Sequence, residues 1–184
     1  MARLSADGVR ALADWLWSEP GMHVYAALDG ASVPGLLARL HSTQRLRFVC
    51  LYRGALRPDM AQVAPYLVAI EPESEFMHWL LANGWDNHWG VFLRTRARMI
   101  DVRKHLRNLN RVYGPQLQSL WFRYYDPRVL RAFLPLCESH QLPELFGPVC
   151  TWVVEAEAPG RAIAFAEAGG GVQSSDRSLL RGQG

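Results

Sequence analysis

The chain has 184 residues, of which 49% are hydrophobic and 20% charged, and its formal charge is +3 at pH 7. A chain of this length and composition can bury a core of its own, which excludes an intrinsically disordered protein and favours one globular domain. No apolar run approaches the roughly 20 residues that a membrane-spanning helix needs, and the first residues show no signal-peptide pattern. We therefore expect a soluble cytoplasmic protein without a membrane partner.

The cysteines Cys50, Cys137 and Cys150 form no close pair in the sequence. Two of them lie inside apolar runs, and this placement argues against a disulfide framework and against a cysteine-rich metal site. The cysteine pattern therefore favours a reducing compartment.

Helical and strand-like patterns alternate through the first half of the chain. Ser5 is a predicted N-cap for a helix in which Val9, Leu12 and Leu16 recur at helical spacing. Further helices are predicted at 34–40, 60–63 and 75–84, the last with Ser74 as its N-cap. Continuous apolar runs, which are typical of strands buried on both faces, lie at 24–28, 48–52, 66–70 and 89–93.

The second half begins with an amphipathic helix predicted at Met99–Leu109, followed by a turn at Gly114–Pro115. One face of that helix and the residues after it are basic: Arg103, Lys104, Arg107 and Arg111. A strand at 120–125, a helix from Pro127, a short helix at 142–146 and strands at 149–154 and 162–166 are predicted next. Past Glu167 the composition is rich in Gly, Ser and Arg, with too few apolar residues to drive packing.

These elements predict an α/β fold in a single domain, with a largely parallel mixed sheet of about five to seven strands and helices between them. The domain is expected to span residues 1–166, and residues 167–184 to form a flexible tail. Gly90 lies inside the fourth predicted strand and indicates a bulge or a close approach between backbones.

The junction at 122–130 joins an aromatic run to the start of a helix. Asp126 is the predicted N-cap because its carboxylate can accept from the free amides of the first turn, and Pro127 suits the first helical position. Arg123 and Arg128 flank that carboxylate closely enough for charge-assisted hydrogen bonds. A structural cap is the expected role of Asp126, and a catalytic carboxylate at a strand end is the alternative.

Polar residues directly follow several of the predicted strands, and Asp29-Gly30 is also a predicted turn that closes the first strand. If the strands are parallel, their carboxyl ends share one edge of the sheet, where open parallel sheets bind ligands. An acidic edge of this kind would suit a small hydrolase-like enzyme. The residues concerned are Asp29, Arg53, Glu71, Arg94, Asp126 and Glu155.

Motifs for metal, nucleotide or other cofactor binding are missing from the sequence. It contains no Gly-rich phosphate loop, no histidine-rich cluster and no G-x-S-x-G elbow. The basic helix face lacks the interleaved aromatics of a single-strand-binding groove. We therefore expect no cofactor, and nucleic acid is not an expected partner.

Two segments combine aromatic residues with arginine or histidine, and both interrupt regular structure. They are the loop after Gly84 and the junction at Asp126. Tryptophan and arginine are enriched in the hot spots of protein interfaces, which makes these segments candidates for partner binding. The candidate partner-binding residues are Trp85, His88, Trp89, Tyr124, Arg128 and Arg131.

A series of short motifs follows one another along the chain in a characteristic order. They lie at 24–31, 64–68, 79–81, 84–85, 89–90, 122–130 and 146–149, with a Tyr-Asp-Pro-Arg-Val core in the sixth. In this order and spacing the chain resembles the type VI secretion adaptor or effector-chaperone family, first catalogued as a domain of unknown function.

That resemblance implies a non-enzymatic cytoplasmic protein that holds a toxic secreted effector and helps load it onto the spike complex of a bacterial contractile secretion apparatus. Its partners would be the effector and a spike or tip protein. Many family members carry a second, more variable C-terminal lobe, whereas this chain ends in the Gly-rich segment. The resemblance assigns no binding residues, so the candidates above rest on local chemistry.

An adaptor and an enzyme are therefore the two hypotheses. The adaptor explains why aromatic and arginine residues are plentiful without a catalytic constellation, because interfaces favour those residue types and need no reactive group. The enzyme explains only the polar strand ends. A pocket enclosing Asp29 and Asp126 would favour the enzyme, and copurification with the product of a neighbouring gene would favour the adaptor.

Overall fold

The computed structural model describes residues 3–113 and 118–180, which form seven α-helices and nine strands. The helices are α1 (Ala6–Leu16), α2 (Leu36–Ser42), α3 (Pro58–Val63), α4 (Glu75–Gly84), α5 (Met99–Leu109), α6 (Pro127–Phe133) and α7 (Leu142–Phe146), and a 3-10 turn at Leu134–Leu136 follows α6. The strands are β1 (His23–Asp29), β2 (Phe48–Cys50), β3 (Pro65–Ile70), β4 (Gly90–Thr95), β5 (Arg111–Tyr113), β6 (Ser119–Trp121), β7 (Thr151–Glu155), β8 (Arg161–Ala168) and β9 (Gly171–Ser178).

The main sheet has the strand order β2-β3-β1-β4-β7-β8-β9, and each neighbouring pair in it is antiparallel. The prediction of a largely parallel sheet is therefore wrong, although the mixture of helices and strands is as predicted. A continuous apolar run indicates that both faces of a strand are covered, and it carries no information about the direction of the neighbouring strand. β1 illustrates this, since β3 and β4 both run against it.

Helices cover both faces of the central strands. Ala26 and Leu28 of β1 pack in one core with side chains of α1, α2 and α4. Tyr25 and Ala27 pack in a second core with side chains of α5, α6 and α7. Because successive side chains of a strand point to opposite faces, this alternation gives a helix, sheet, helix sandwich. Charged groups at the strand ends can therefore reach solvent without crossing either core.

Local signals in the sequence explain several element boundaries. Ser5 caps α1 by accepting from the backbone N–H of Gly8 at 3.1 Å, and Ser74 caps α4 by accepting from the N–H of Met77 at 3.1 Å. A Cβ added at Gly90 would lie 2.3 Å from the Ala27 carbonyl oxygen. β1 and β4 thus come together at Gly90 in the close backbone approach that the sequence predicts.

The strand predicted at 120–125 is shorter than expected and does not belong to the main sheet. β6 ends at Trp121 and pairs with β5 in a separate two-stranded sheet. The N–H of Asp126 then donates to the Arg123 carbonyl at 2.9 Å, which closes a turn immediately before α6. The predicted turn at Gly114–Pro115 lies outside the described residues.

The segment expected to be a flexible tail, 167–184, instead contains the end of β8 and the whole of β9. Eight residues of β9 pair with eight of β8, and backbone hydrogen bonding of this kind does not require apolar side chains. Gly169 and Gly170 both have positive φ, which suits the tight turn of a two-residue hairpin. Residues 181–184 lie outside the described residues.

Candidate functional site: a cationic surface at one end of the sheet

Antiparallel pairing brings distant parts of the chain to the end of the sheet where β1 finishes, here called the Asp29 end. β4 begins at this end, because Gly90 pairs with Leu28 and the Asp29 N–H donates to the Trp89 carbonyl at 2.9 Å. β7 runs against β4 and therefore finishes with Glu155 at the same end. The loop before β4 and the ends of β1 and β7 are thus neighbours.

Asp29 is buried at this end and its carboxylate is fully occupied. One oxygen accepts from the Ser32 hydroxyl at 2.9 Å and from the Arg123 guanidinium at 2.6 Å, and the other accepts from the Ala31 N–H at 3.1 Å. Arg123 was expected to flank Asp126 and binds Asp29 instead. The Asp29-Gly30 turn is consequently linked to the start of α6.

Asp126 is the N-cap residue of α6, with Pro127 at the first helical position. Its carboxylate accepts from the Arg128 backbone N–H at 3.0 Å and from two nitrogens of the same guanidinium at 3.0 and 2.8 Å. Burial opposes ionisation of the carboxyl group, but the hydrogen bonds and charge of Arg128 outweigh burial, so the pKa of Asp126 lies below its ordinary value. Arg128 is therefore held in a fixed, forked geometry.

Glu155 is the third buried carboxylate at the Asp29 end. Its carboxylate contacts Nδ1 of His88, and its backbone carbonyl accepts from the Arg131 guanidinium at 2.7 Å. Burial raises the pKa of Glu155, and the hydrogen bond and charge of His88 oppose that rise only in part. His88 itself has a φ of 59°, a left-handed conformation that non-glycine residues adopt only when their surroundings hold them there.

The three acids share one arrangement in which the acidic side chain is buried and its basic partner faces solvent. The carboxylate-bearing side chains are 3 to 6% exposed, whereas those of Arg123, Arg128 and His88 are 45, 54 and 41% exposed. Arg128 also feels the charges of Glu155 and Asp29. These basic residues and the half-buried Arg131 form the cationic platform, defined as His88, Arg123, Arg128 and Arg131.

The opposite end of the sheet has the reverse arrangement. Arg94 is 7% exposed there and pairs at 3.0 Å with Glu19, which is 48% exposed. Glu71 lies at this end too, because β3 runs against β1. The strand-end residues predicted to share one edge are thus divided between two ends, and Asp29, Arg53, Asp126 and Glu155 are the ones that the Asp29 end collects.

The predicted partner-binding residues fall into a buried group and an exposed group. Trp85, Trp89 and Tyr124 are at most 6% exposed and pack on other aromatic rings, which places them in the cores. His88, Arg128 and Arg131 reach solvent on the cationic platform. The three aromatic residues therefore support the surface from beneath and do not form it.

The sequence patterns do not reveal two features of this region. Glu155 was noted only as a strand end, although it anchors His88 and Arg131. Trp121 was assigned to a buried strand, yet it is 48% exposed. The sequence does contain a signal for the exposure of Trp121. Arg123 is charged and lies two positions further along the predicted strand, so the two side chains are expected on the same face.

The basic helix face is only partly a solvated stripe. Arg103 and Arg107 are half-buried, and the Arg107 guanidinium donates to the Cys50 carbonyl at 2.8 Å. Arg107 thus ties α5 to β2 besides contributing charge.

No group of three or more His, Cys, Asp or Glu side chains in the described residues is arranged to hold a metal ion. No helix in that same part of the chain combines the length and apolar character required to cross a bilayer.

Comparison with known proteins gives one match. The sequence model of a family described as Domain of unknown function (DUF4123) matches residues 24–144, more than half of the chain. The matched segment includes the whole cationic platform, together with Asp29 and Asp126, and Glu155 lies beyond it. Neither a curated protein nor a solved structure matches the chain.

Proposed function

This chain belongs to the family described as Domain of unknown function (DUF4123), and we propose that it is a non-enzymatic adaptor. In this proposal it binds a secreted effector in the cytoplasm and helps load it onto the spike complex of a type VI secretion apparatus. The order of motifs described above supports the secretion assignment. The observation that carries the binding role is the cationic platform, where three buried acids and a backbone carbonyl hold three arginines and a histidine toward solvent.

A platform of this kind suits the docking of a protein. An arginine on a free surface loses rotamer entropy when a partner immobilises it, whereas Arg123 and Arg128 are already immobilised by their carboxylates. A guanidinium has five N–H donors, so donors remain for a partner after the internal bonds are made. Acidic groups on a client would be steered to this end of the molecule and held in one register.

The carboxylates themselves are poorly placed for catalysis. Asp29 and Asp126 are buried and each is engaged by an arginine, which leaves neither free to act as a general base. One observation favours an enzyme: Glu155 beside the half-exposed His88 resembles the carboxylate that orients a general-base histidine in hydrolases. A hydrolase of this kind would lose turnover of p-nitrophenyl acetate in a His88→Ala variant, whereas an adaptor would show no turnover to lose.

The test is coexpression of the tagged chain with the effector and spike proteins encoded beside it, followed by affinity capture. The informative variant is Arg128→Gln with Arg131→Gln, because glutamine can still donate to Asp126 and to the Glu155 carbonyl while the charge is removed. We expect capture of the effector to fall at least about tenfold in this variant. Its thermal melting temperature serves as the check on folding.

The matched control is Arg45→Gln with Arg96→Gln, which removes two exposed charges near the opposite end of the sheet. We expect this variant to capture the effector like the parent. Equal losses in both variants would assign the effect to net charge and not to the platform. A parent that captures neither an effector nor a spike protein would contradict the adaptor function.

A further inference from the structure

An open groove lies beside the cationic platform, between the residues after β2, helix α3, the end of α5 and strand β6. Its volume is about 830 Å³. We call it the Trp121 groove and define it by an apolar set, Tyr52, Leu56, Met60 and Trp121, and a basic set, Arg53, Arg107 and Arg111. None of these residues has a role in the function proposed above.

The apolar set exposes large side chains in fixed positions. Trp121 is 48% exposed and Met60 is 39% exposed. The Trp121 ring packs edge-on against Tyr52 with 5.1 Å between ring centroids, and its indole N–H donates to the Tyr125 hydroxyl at 3.3 Å. An exposed tryptophan oriented by two tyrosines presents a preformed apolar contact area, which is typical of the anchor positions of interfaces.

Positive charge dominates the other wall of the groove. Arg53 and Arg111 are exposed, and Arg107 is half-buried. Glu144 is the one acidic residue among the described residues that line it. Burial lowers the pKa of Arg107, and the charges of Arg103 and Arg53 lower it further, so this wall carries a local excess of positive charge. The wall is therefore complementary to an acidic ligand.

The groove and the platform are linked beneath the surface by Tyr125, which is 2% exposed. Tyr125 joins them, because its hydroxyl lies 3.4 Å from the Tyr52 hydroxyl while its ring lies 5.8 Å from the Arg123 guanidinium carbon. The charges of Asp29 and Arg123 in turn act on Tyr52. The ring that orients Trp121 in the groove is therefore the same ring that lies beside Arg123 of the platform.

We propose that the Trp121 groove binds an extended acidic segment of the client protein, with an apolar side chain against Trp121 and Met60 and carboxylates on Arg53 and Arg111. This inference rests on the proposed adaptor function and specifies the chemistry of the client. A polypeptide is favoured over a nucleic acid because Leu56 and Met60, half of the apolar set, offer no flat surface on which a base could stack, whereas apolar side chains can pack on all four residues.

Fluorescein-labelled synthetic peptides of roughly a dozen residues, a length typical of groove-bound segments, test the proposal directly by fluorescence anisotropy. The first peptide alternates Glu with Leu or Phe, the second replaces each Glu by Lys, and the third keeps Glu but replaces the apolar residues by Gly and Ser. A single-stranded oligothymidine of similar length is the nucleic-acid probe. We expect the first peptide to bind, and the other three probes to bind at least about tenfold more weakly.

Two kinds of variant assign binding of the first peptide to the groove. Trp121→Ala and, independently, Met60→Asp should each weaken it about tenfold or more, and Met60 is exposed on α3, so its change spares the core. Arg53→Glu with Arg111→Glu should abolish measurable binding at low salt. Arg45→Glu with Arg96→Glu changes the net charge equally near the opposite end of the sheet and should bind like the parent.

Each contrary outcome has a definite meaning. Tighter binding of the oligothymidine would make the groove a nucleic-acid site, and peptide binding unchanged in both Trp121→Ala and Met60→Asp would place the ligand elsewhere. Absence of binding by any peptide would overturn the proposal.

If groove variants still capture the effector while platform variants do not, the adaptor function stands and the groove inference fails. If the peptide binds the groove but neither an effector nor a spike protein is captured, the groove binds acidic segments and the adaptor function fails.

Discussion

At the scale of single residues, the site depends on which arginine binds which carboxylate. Proximity in the sequence predicted that Arg123 and Arg128 would share Asp126. A turn, closed by the Asp126 N–H on the Arg123 carbonyl, directs the Arg123 side chain away from the Asp126 carboxylate. Arg123 binds Asp29 instead, 94 positions away in the chain. Arg128 remains with Asp126 because its own backbone N–H is already bonded to that carboxylate. Backbone hydrogen bonds thus decide the pairing of the side chains.

Asp126 gives a prediction about stability and its pH dependence. Asp126→Asn retains an oxygen that can cap α6 but removes the charge that binds Arg128, so we expect a loss of about 1 to 2 kcal/mol at pH 7. Because the pKa of Asp126 is lowered from 3.8 in the folded state, the unfolded state binds the proton more readily. The stabilisation is therefore present above about pH 4 and is lost as the pH falls through the lowered pKa.

Urea unfolding between pH 7 and pH 2 measures this effect. The difference in free energy of unfolding between the parent and Asp126→Asn should shrink steadily below about pH 4. Asp59→Asn is the matched control, since Asp59 is an exposed carboxylate in the first turn of α3. A constant difference between parent and Asp126→Asn across the acid range would show that the ionised pair contributes nothing.

At the scale of secondary-structure elements, the antiparallel sheet is what assembles the site. Had β1 and β4 been parallel, the loop that carries His88 would lie at the end away from Asp29. Running against each other, they place His88, Asp29 and Glu155 at one end, and α6 starts beside them. The loop after Gly84 and the junction at Asp126 are therefore neighbours. The cause is the antiparallel pairing of the strands, which the sequence pattern does not show.

Gly90 tests the closeness of β1 and β4. In Gly90→Ala the new Cβ would meet the Ala27 carbonyl oxygen at 2.3 Å, so the two backbones must separate. We expect a loss of at least about 2 kcal/mol in the free energy of unfolding. Gly171→Ala at the start of β9 is the matched control, because nothing lies within 4 Å of its added Cβ, and it should change stability little. Equal melting temperatures for the two variants would contradict the close approach.

Elements were more predictable than their arrangement. Apolar periodicity and capping residues located α1, α4 and α5 and the central strands, because these signals are local. Contacts between distant segments determine the strand directions, the pairing of Arg123 with Asp29 and the exposure of Trp121. Local sequence patterns alone therefore do not predict them. β9 was not predicted for a different reason. Its pairing with β8 uses backbone hydrogen bonds, which do not depend on apolar side chains. The Gly169-Gly170 turn also resembles a flexible linker in sequence.

At the scale of the whole molecule, the two ends of the sheet differ in which member of an ion pair is buried. Buried acids hold arginines outward at the Asp29 end, whereas the buried Arg94 holds Glu19 outward at the other. Exposed arginines such as Arg45 and Arg96 also lie near that other end. The Asp29 end is therefore distinguished by the fixed geometry of its arginines and not by the sign of its charge.

The last prediction concerns how the end of the described chain joins the fold. Leu179 follows β9, is 2% exposed, and packs in the same core as Leu4 from the start of the chain. The Leu179 N–H donates to the Gly160 carbonyl at 2.8 Å, and this hydrogen bond attaches Leu179 to the β7–β8 turn. Leu179→Ala should therefore lower the free energy of unfolding by about 2 to 4 kcal/mol through the cavity that it leaves.

Leu180→Ala is the matched control for that change, because Leu180 is the next residue and is 56% exposed. It should cost no more than about 1 kcal/mol, since most of its side chain is already in water. Chemical denaturation of the two variants and the parent provides the comparison. If the chain after β8 were a mobile tail, both substitutions would leave the unfolding midpoint unchanged. A selective loss in Leu179→Ala would instead show that β9 is anchored at its far end and that the two ends of the described chain stabilise one core together.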